Sequence, residues 1–555
     1  MTLSQTMADP LVRHAAAQPG RRAFTFLRDG AAAQTLSYAE LDERARQVAL
    51  ALLDATAHVT GEQPRALLLL PQSLTFIEAL FGSFYAGVCA IPAHVPAANA
   101  GRNTAARLRS IAANARPHVV LASRATLGAR EAVPELAACR WLAVDELGAA
   151  STRGVTVRAR PDDLAILQYS SGSTGDPRGV MVTHGNLFHN EALIEEAFEH
   201  TPETIVMGWL PFQHDMGLIG NVLQPVYAGA ECVLMTPTAF LKQPLRWLQE
   251  ISRFRATSSG APNFAYETCV RHAASRGCGD LDLSSWVLAF VGAEPVRAGT
   301  LERFATTFAR HGFRREALYP CYGLAEATLM VTGGLRAEPF RVRQLDGVHP
   351  RVSCGVPRHG QRIAIVDPIT RRPVEHGDGE IWVSGPSVAR GYFGNVEATR
   401  ASFGARLDGS DADWLRTGDL GRMVDGELHV TGRLKAIAVV RGVKHAAEDL
   451  EQTVDSACDD ALRAGACAVF SFEIAEREEL VVVQEVERGA TASWPQVAQR
   501  IATVVTEAHG VRVDVVSFVR PGSIPRTTSG KVRRAACREL FATRELDEVH
   551  RQAFA

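Results

Sequence analysis

The chain has 555 residues, of which 46% are hydrophobic and 22% are charged, and its formal net charge is −2. A chain of this length exceeds the size at which one hydrophobic core usually stops growing, so we expect two domains with room for a cleft between them. The composition excludes a fibrous or disordered protein. Because no basic stretch is interleaved with aromatic residues, the sequence also argues against a nucleic-acid partner.

The N-terminus and the most apolar stretch of the chain indicate neither export nor a membrane span. The first ten residues lack a basic segment followed by an apolar one, so we expect no secretory signal and a cytoplasmic location. The apolar stretch 76–93 contains Glu78 and is broken by glycines and a proline, which predicts a buried helix followed by a strand. The ten cysteines form no CxxC pair, so we expect reduced packing residues.

From about residue 60 to residue 330, short apolar runs alternate with amphipathic stretches. The runs are typical of strands covered on both faces, and they are Arg65–Leu70, His118–Ala122, Ala165–Gln168, Cys232–Met235 and Trp286–Val291. Helical periods lie between them and just before the first, for example Tyr38–Val48 and Pro244–Ser252. This βαβ alternation predicts an α/β fold with layered parallel sheets.

The pattern changes after about residue 350. Closely spaced strand-like runs, separated by Gly, Asp and Pro turns, predict an antiparallel, barrel-like subdomain over about residues 350–430. These runs are Ile363–Val366, Glu380–Val383 and Glu427–Val430.

A second boundary falls near Gly432–Lys435, after which the signals of a small α+β unit follow. They are the apolar runs Ala466–Phe470, Leu480–Gln484 and Val511–Val516 and a helix over Val497–His509. We therefore predict a large N-terminal domain over residues 1–433 and a small α+β C-terminal domain over residues 434–555, a size that can hold its own core.

Lysine is scarce in this chain. Of its 59 basic residues only four are lysine, namely Lys242, Lys435, Lys444 and Lys531. A coding bias that replaces surface lysines with arginine explains the scarcity without giving any lysine a function. A lysine that persists against such a bias nevertheless favours a position where a compact ammonium does what a planar guanidinium cannot.

The segment Ile166–Val180 reads as a strand that runs into a loop of small and hydroxyl residues. Glycines let backbone N–H groups approach an anion closely, and Ser and Thr hydroxyls add donors and a possible Mg²⁺ ligand. The GxxxxGK[ST] spacing of a P-loop is absent, because Arg178 directly precedes Gly179. Taken alone, a Gly/Ser/Thr cluster of this kind is more often an ordinary polar turn than a phosphate-binding loop.

Six motifs, in order along the chain, resemble those of the adenylate-forming superfamily of acyl-CoA synthetases, nonribosomal adenylation domains and luciferases. They are Tyr169–Gly179, Gly292–Val296, Tyr319–Thr328, Trp414–Asp419, Gly432–Arg433 and Pro525–Lys531. The resemblance implies an enzyme that uses ATP and Mg²⁺ to activate a carboxylic acid as an acyl-adenylate. It also implies a mobile C-terminal domain that closes over the N-terminal one.

The resemblance implies a role for each matching residue. The residues expected to bind the phosphates are Ser170, Ser171, Gly172, Ser173, Thr174, Gly175 and Arg178, with Thr174 and Glu326 on Mg²⁺. The residues expected around the nucleoside are Gly292, Ala293, Glu294, Tyr322 and Gly323 at the adenine and Asp419 and Arg433 at the ribose. Lys531 and Glu326 are expected to be catalytic.

These assignments suit the chemistry. The two carboxylate oxygens of Asp419 match a pair of ribose hydroxyls. Attack of a carboxylate on the α-phosphorus brings two anions together, so a cation at Lys531 would stabilise the transition state. Each residue taken alone has a plainer reading: a solvated turn for Asp419, a helix N-terminal charge for Glu326 and a surface lysine for Lys531.

Within the superfamily the chain is most similar to the fatty acyl-AMP ligases, over nearly its whole length. The similar segments are Ala90–His94 with Pro96, Leu167–Ser171, Trp209–Gly220, Leu223–Gly229, Ser259–Tyr266 and Gly442–Glu451. Those enzymes make an acyl-adenylate from a fatty acid and pass the acyl group to the phosphopantetheine thiol of an acyl carrier protein, which polyketide and nonribosomal peptide synthases carry as a domain. We expect a separate holo carrier protein here.

The same resemblance implies residues for the acid and for the hinge. His214 would border the acid as a catalytic residue, and Ser259, Gly260, Ala261 and Asn263 would line the acyl tunnel, while Lys435 would be the hinge. For His214 a buried packing histidine is the plainer reading.

Two departures from that family leave alternatives open. Residues 329–352 are short where the family carries an insertion, so an acyl-CoA synthetase that uses free coenzyme A is one alternative. The hinge Lys435 is followed by Ala436, where an acidic residue is common. Asp215 is compatible with an amino-acid substrate, because a carboxylate can pair with an α-ammonium. A scaffold protein without activity is the non-enzyme alternative.

Overall fold

The fold is taken from a computed structural model. It describes residues 5–28, 33–95, 102–148, 151–152, 154–170, 177–345, 349–408, 411–440, 443–457, 461–474, 477–527 and 530–554. The predicted phosphate-loop residues Ser171, Gly172, Ser173, Thr174 and Gly175 lie outside these ranges, as does the side chain of Ser170.

The strands are numbered in chain order. Those before residue 434 are β1 Arg22–Phe26, β2 Gln34–Ser37, β3 Arg65–Leu69, β4 Cys89–Pro92, β5 Val119–Ala122, β6 Arg140–Ala143, β7 Leu164–Ser170, β8 Arg178–Thr183, β9 Ile205–Gly208, β10 Glu231–Leu234, β11 Ser258–Ala261, β12 Leu288–Val291, β13 Leu318–Gly323, β14 Met330–Gly333, β15 Val342–Arg343, β16 Arg351–Val352, β17 Val356–Pro357, β18 Arg362–Val366, β19 Gly379–Ser384, β20 Leu415–Val424 and β21 Glu427–Arg433. Those after it are β22 Ile437–Val440, β23 Val443–Ala446, β24 Leu462–Ile474, β25 Arg477–Val486, β26 Val515–Val519 and β27 Glu548–Ala553.

The α-helices are numbered in the same way. They are α1 Asp9–Ala17, α2 Tyr38–Ala55, α3 Leu74–Ala86, α4 Arg102–Ala115, α5 His184–Phe198, α6 Asp215–Leu218, α7 Gln224–Ala228, α8 Pro237–Lys242, α9 Leu245–Phe254, α10 Asn263–Arg276, α11 Ala298–Phe308, α12 Val396–Phe403, α13 Ala447–Ser456, α14 Trp494–His509 and α15 Arg534–Thr543.

The α/β fold class is confirmed, but the two large sheets are mixed and not purely parallel. One has nine strands in the order β17-β14-β13-β12-β11-β9-β10-β1-β2, and the other has six in the order β6-β5-β3-β4-β7-β8. Their centres are parallel, whereas β1–β2, β13–β14 and β7–β8 pair antiparallel. Periodicity predicts each strand but not its partner, so the division into two sheets could not be predicted from the apolar runs.

Local signals in the sequence account for the helices that cover these sheets. Ser37 and Glu40 form a reciprocal capping box at the start of α2. Ser73 caps α3, which ends at Gly87 in the left-handed conformation that glycine adopts without strain. As predicted, the apolar stretch 76–93 forms a buried helix and a strand, and in the described part of the chain no helix is long and apolar enough to cross a membrane.

The predicted barrel-like subdomain is a four-stranded antiparallel sheet in the order β18-β19-β20-β21. The C-terminal residues form a second four-stranded sheet, β24-β25-β26-β27, with its own apolar cluster around Leu450, Val482 and Ile501. The strand predicted at Val511–Val516 is wrong by four residues, since β26 covers Val515–Val519. Val511 and Val513 are buried in the core without joining the sheet, which explains why their apolar pattern resembles a strand.

The cysteines have the predicted character. The nine that the structure describes are free thiols, and most are buried. Across the same described residues, no group of three or more His, Cys, Asp or Glu side chains is arranged to hold a metal ion.

The fully buried His184 gives an expected pH dependence of stability. Burial lowers its pKa to about 3, and its Nδ1 accepts a hydrogen bond from the backbone N–H of Met7. As the pH falls below 6.5 the unfolded chain binds a proton that the folded chain does not, so this group lowers the unfolding free energy by about 1.4 kcal/mol per pH unit down to about pH 3. Above pH 6.5 it has no effect.

Urea unfolding of the His184→Gln variant tests this dependence. Between pH 7 and pH 5 we expect the variant to lose about 2 kcal/mol less unfolding free energy than the wild type. The exposed His58, replaced in the same way, is the control and is expected to leave the pH dependence unchanged. Equal pH dependence in wild type and His184→Gln would contradict the assignment.

Candidate active site

The predicted site residues gather where several parallel strands end. Ser170, Asn263, Glu294 and Tyr322 lie at or just beyond the carboxyl ends of β7, β11, β12 and β13. Strands β11, β12 and β13 are direct neighbours in the nine-stranded sheet. Ligands of open α/β sheets bind in the crevice outside such strand ends, so the fold brings together residues that are far apart in the sequence.

Asp419, the predicted ribose residue, has fixed partners on both carboxylate oxygens. Tyr322 donates its hydroxyl to Oδ2 at 2.9 Å, and Arg433 donates Nε to Oδ1 at 2.5 Å. The Asp419 carboxylate raises the pKa of Arg433, and burial together with Asp419 raises the pKa of Tyr322 well above 10. The three predicted residues therefore form one charged, hydrogen-bonded unit.

Sequence reasoning missed the residue that holds this turn in place. Glu380 is 2% exposed, and it accepts hydrogen bonds from Arg416, the Trp382 indole and the backbone N–H of Gly418. Gly418 has a φ of +72°, which suits glycine. Glu380 thus fixes the turn that presents Asp419, and in the sequence it is indistinguishable from any other strand carboxylate.

Glu326, the predicted metal ligand, lies half-buried beside an aromatic side chain that the sequence did not indicate. Tyr392 donates its hydroxyl to Glu326 Oε1 at 2.9 Å, and burial raises the pKa of Glu326. The Arg178 guanidinium lies over the Tyr392 ring, 5.3 Å from its centre. Since Arg178 is the first residue of β8 and pairs with Ser170 of β7, it marks the base of the predicted phosphate loop.

The predicted adenine wall follows β12. Ala293 has a φ of +64°, and a Cβ on Gly292 would approach Cys321 Sγ at 3.1 Å, so both positions need small residues. Glu294 turns to the start of α10, where its Oε1 accepts from the backbone N–H of Phe264 at 2.5 Å. This contact ties the wall to the segment predicted to line the acyl tunnel.

Gly323 lies at the end of β13, where the backbone of Leu329 approaches closely. A Cβ on Gly323 would be 1.7 Å from the Leu329 carbonyl oxygen. Any side chain there would displace the turn that carries Glu326.

The side chains of His214 and Asp215 are in contact at the start of α6. His214 Nδ1 lies 2.7 Å from Asp215 Oδ1, which also accepts from the backbone N–H of Met216. Burial alone would raise the pKa of Asp215, but the charge and hydrogen bond of His214 outweigh it and lower the pKa. A π-helical turn, Ile219–Leu223, follows α6, a feature frequent at functional sites.

Lys531 lies in a turn of the C-terminal part, beside residues of the N-terminal part. A Cβ on the preceding Gly530 would lie 3.9 Å from the Phe264 ring. Burial and the Arg433 charge lower the pKa of Lys531, while Asp215, Glu294 and Asp419 act in the opposite direction. The lysine therefore shares one electrostatic environment with the three carboxylates.

The predicted tunnel residues of β11 have packing roles that explain their size. Ser259 is fully buried, accepts from the Trp247 indole at 2.8 Å and donates to the Met207 carbonyl. A Cβ on Gly260 would lie 2.2 Å from the Phe290 ring. Ala261 is also fully buried. Asn263, the fourth predicted tunnel residue, begins α10, and its Oδ1 accepts a hydrogen bond from the backbone N–H of Arg297. Their role in an acyl tunnel stays a prediction.

The predicted hinge residue Lys435 is exposed in a short helical turn, Leu434–Ala436. This turn directly follows β21, the last strand before the C-terminal residues. Its role as a hinge likewise stays a prediction.

The chain is similar to known families and proteins over nearly its whole length. The sequence model of the family described as "AMP-binding enzyme" matches residues 11–393, and that of "Disco-interacting protein 2-like, AMP domain" matches residues 436–551. Medium-chain-fatty-acid–[acyl-carrier-protein] ligase JamA of Moorena producens is 42% identical, over 98% of this chain and 96% of its own length. The ligase TtuA of Teredinibacter turnerae, which has the same description, is 35% identical, over 98% and 95%.

A solved structure is similar over the same span. The crystal structure of a fatty acyl-adenylate ligase from L. pneumophila, in complex with acyl adenylate and pyrophosphate, is 35% identical with a TM-score of 0.74 and covers 99% of this chain and 98% of its own. The chain therefore belongs to the AMP-binding family of adenylate-forming enzymes, among the fatty acyl-AMP ligases. It is an ATP-dependent acid ligase, and the scaffold alternative is excluded.

Proposed function

We propose that this enzyme uses ATP to convert a fatty acid into fatty acyl-AMP, and then transfers the acyl group to the phosphopantetheine thiol of a separate holo carrier protein or carrier domain. The described activities of its relatives support this, since two are medium-chain-fatty-acid–[acyl-carrier-protein] ligases and one was crystallised with acyl adenylate and pyrophosphate. The observation that carries the proposal is that the Lys531 turn lies against Phe264 of the N-terminal part, where the charges of Asp215, Glu294 and Asp419 act on its ammonium.

In this proposal the nucleoside is held by the unit around Asp419. Its two carboxylate oxygens accept from the ribose hydroxyls, while Arg433 and Tyr322 keep the carboxylate oriented. The small residues Gly292 and Ala293 leave room for the adenine. Lys435 would be the hinge between an N-terminal domain, residues 1–433, and a C-terminal domain, residues 434–555.

Lys531 acts in the first chemical step. A carboxylate oxygen of the acid attacks the α-phosphorus, a new P–O bond forms, and the bond to the β-phosphate oxygen breaks so that pyrophosphate leaves with the electron pair. In this step the ammonium of Lys531 neutralises both the incoming carboxylate and the α-phosphate. A cation fixed in a buried site stabilises this charge more strongly than water does.

Glu326 and Thr174 are the residues that we propose to hold Mg²⁺. Glu326 fits, because it is a half-buried carboxylate, a hard oxygen ligand of the kind that Mg²⁺ prefers. Burial raises its pKa, and a bound cation would favour the ionised form. When bound, Mg²⁺ neutralises charge on the phosphates.

The pairing of Asp215 with His214 favours a fatty acid over an amino acid. An α-ammonium could use Asp215 only by displacing the His214 ring, whose Nδ1 lies 2.7 Å from Asp215 Oδ1. With Asp215 engaged by His214, the site borders Phe264 and the apolar segment after β11, which suits an alkyl chain. In the second step the carrier thiol attacks the acyl carbonyl carbon, the bond to AMP breaks, and the thiol proton passes to solvent.

ATP–pyrophosphate exchange tests the first step. We expect exchange that depends on dodecanoic acid and exceeds the exchange with any proteinogenic amino acid by at least about 10-fold. Exchange that depends on an amino acid and not on dodecanoic acid would show that Asp215 serves an α-ammonium.

A further inference from the structure

Helix α13 joins the two parts of the chain around the site. Its acidic residues Asp449 and Asp455 face arginines of the N-terminal part, and its Glu448 and Glu451 face Arg534 of the C-terminal part. Arg534 is the first residue of α15 and follows Lys531 by three positions. The helix therefore connects the contact between the two parts with the segment that carries Lys531.

The contacts toward the N-terminal part are ion pairs with little exposure to solvent. Arg297 lies 2.9 Å from Asp455, with the side chains 28% and 10% exposed. Arg351 of β16 pairs with Asp449, with the side chains 15% and 12% exposed. An ion pair removed from water in this way is costly to break on one side only, because the remaining charge stays buried without compensation.

A hydroxyl contact lies beside the second pair. Thr453, one helical turn after Asp449, has its Oγ1 2.9 Å from Nε2 of His349 and 2.6 Å from Nε2 of His509. His349 and Arg351 both come from the short segment 329–352, and His509 ends α14. The short segment thus reaches the C-terminal part directly.

The contacts of α13 on its other side are equally specific. Arg534 donates Nε and Nη2 to the two carboxylate oxygens of Glu451 at 2.6 and 2.7 Å, and it lies 2.8 Å from Glu448. Such a bidentate pair fixes direction as well as distance. A change in how α13 docks is therefore passed to α15 and to Lys531.

We propose that Arg351 is a positioning residue that, through Asp449, docks α13 in the orientation in which Lys531 reaches the adenylation site, and that it serves acyl-adenylate formation and not thioester formation. This rests on the proposed two-step function. The pair is present in the orientation that brings the Lys531 turn against Phe264 of the N-terminal part, so breaking it lowers the population of that orientation alone.

The test measures the two steps separately for Arg351→Glu. The first is single-turnover pyrophosphate release with dodecanoic acid and ATP, and the second is thioester formation from synthetic dodecanoyl-AMP and a holo acyl carrier protein. We expect the first rate to fall at least about 10-fold and the second to stay within about 3-fold of wild type. The charge-swapped double variant Arg351→Glu/Asp449→Arg is expected to regain most of the first rate.

Arg343→Glu is the matched control. Arg343 lies opposite Arg351 in the β15–β16 pair, but it forms its ion pair with the exposed Asp425 of the N-terminal part. We expect both rates to remain near wild type. If Arg351→Glu does not fold, Arg351→Gln, which keeps most of the side chain, is expected to lower the first rate about 3-fold and to spare the second.

Trypsin cleavage around Lys435 gives a second readout that needs no activity. Arg351→Glu is expected to be cut there faster than wild type and Arg343→Glu, because the C-terminal part is held less firmly. An equal fall in both rates, no rescue by the swap, or unchanged cleavage would overturn the docking role. The wild-type pyrophosphate release reports separately on the proposed function, since its absence would contradict that function while the cleavage result still tests the docking.

Discussion

Replacing Lys531 with alanine is expected to lower the rate of acyl-adenylate formation by about 10²- to 10³-fold. The reason is that its ammonium is the cation that the C-terminal part places beside Asp215, Glu294 and Asp419, where a carboxylate and a phosphate must meet. Transfer of the acyl group from synthetic acyl-AMP to a carrier protein does not require this charge. Single-turnover pyrophosphate release measures the first rate, and thioester formation measures the second.

Two further variants define what Lys531 contributes. Lys242→Ala removes another of the four lysines from an exposed position at the end of α8, and it is expected to leave both rates unchanged. Lys531→Arg keeps the charge but not the compact shape, so its rate of acyl-adenylate formation is expected to lie between those of Lys531→Ala and wild type. An adenylation rate for Lys531→Ala within about 3-fold of wild type would remove this lysine from the mechanism.

Replacing Asp419 with asparagine is expected to raise the KM for ATP by about 10- to 100-fold. The change removes the charged acceptor that the ribose hydroxyls need, and it leaves Arg433 facing a neutral amide at a position where an ion pair of 2.5 Å existed. Because Tyr322 also donates to Asp419, the adenine side of the site loses a hydrogen bond as well. Steady-state kinetics with ATP varied and the acid saturating measures the effect.

Asp425→Asn is the matched control for this change. Asp425 lies in the turn between β20 and β21, pairs with Arg343 and is 67% exposed. The KM of the Asp425→Asn variant for ATP is therefore expected to equal that of wild type. If Asp419→Asn showed an unchanged KM for ATP and only lower thermal stability, Asp419 would be a structural residue of the turn.

The fold class and most elements could be predicted, because buried parallel strands leave continuous apolar runs. Strand partners could not. β1, for example, pairs with β10, whose first residue is about two hundred positions later, and nothing in the local pattern of Arg22–Phe26 indicates that neighbour. Buried core residues outside a strand can also produce a strand-like apolar pattern, and for this reason Val511 and Val513 were wrongly predicted to lie in a strand.

The candidate site likewise has residues that could be predicted from the sequence and residues that could not. The motifs around Tyr322, Asp419 and Lys531 predicted residues that the fold does bring together, although no contact between them can be read from spacing. Glu380 and Tyr392 were missed, because their importance comes from the turn and the carboxylate that they hold. Such supporting side chains have no signature of their own in a single sequence.

Determining which thiol accepts the acyl group is the most direct test of the proposed function. Enzyme, ATP, Mg²⁺ and dodecanoic acid are incubated with equal concentrations of a holo acyl carrier protein and free coenzyme A, and intact-mass spectrometry follows both thioesters. We expect the carrier protein to gain the mass of one dodecanoyl group while little dodecanoyl-CoA forms, and the Lys531→Ala variant to give neither. Efficient formation of dodecanoyl-CoA with an unmodified carrier protein would contradict the account and identify an acyl-CoA synthetase.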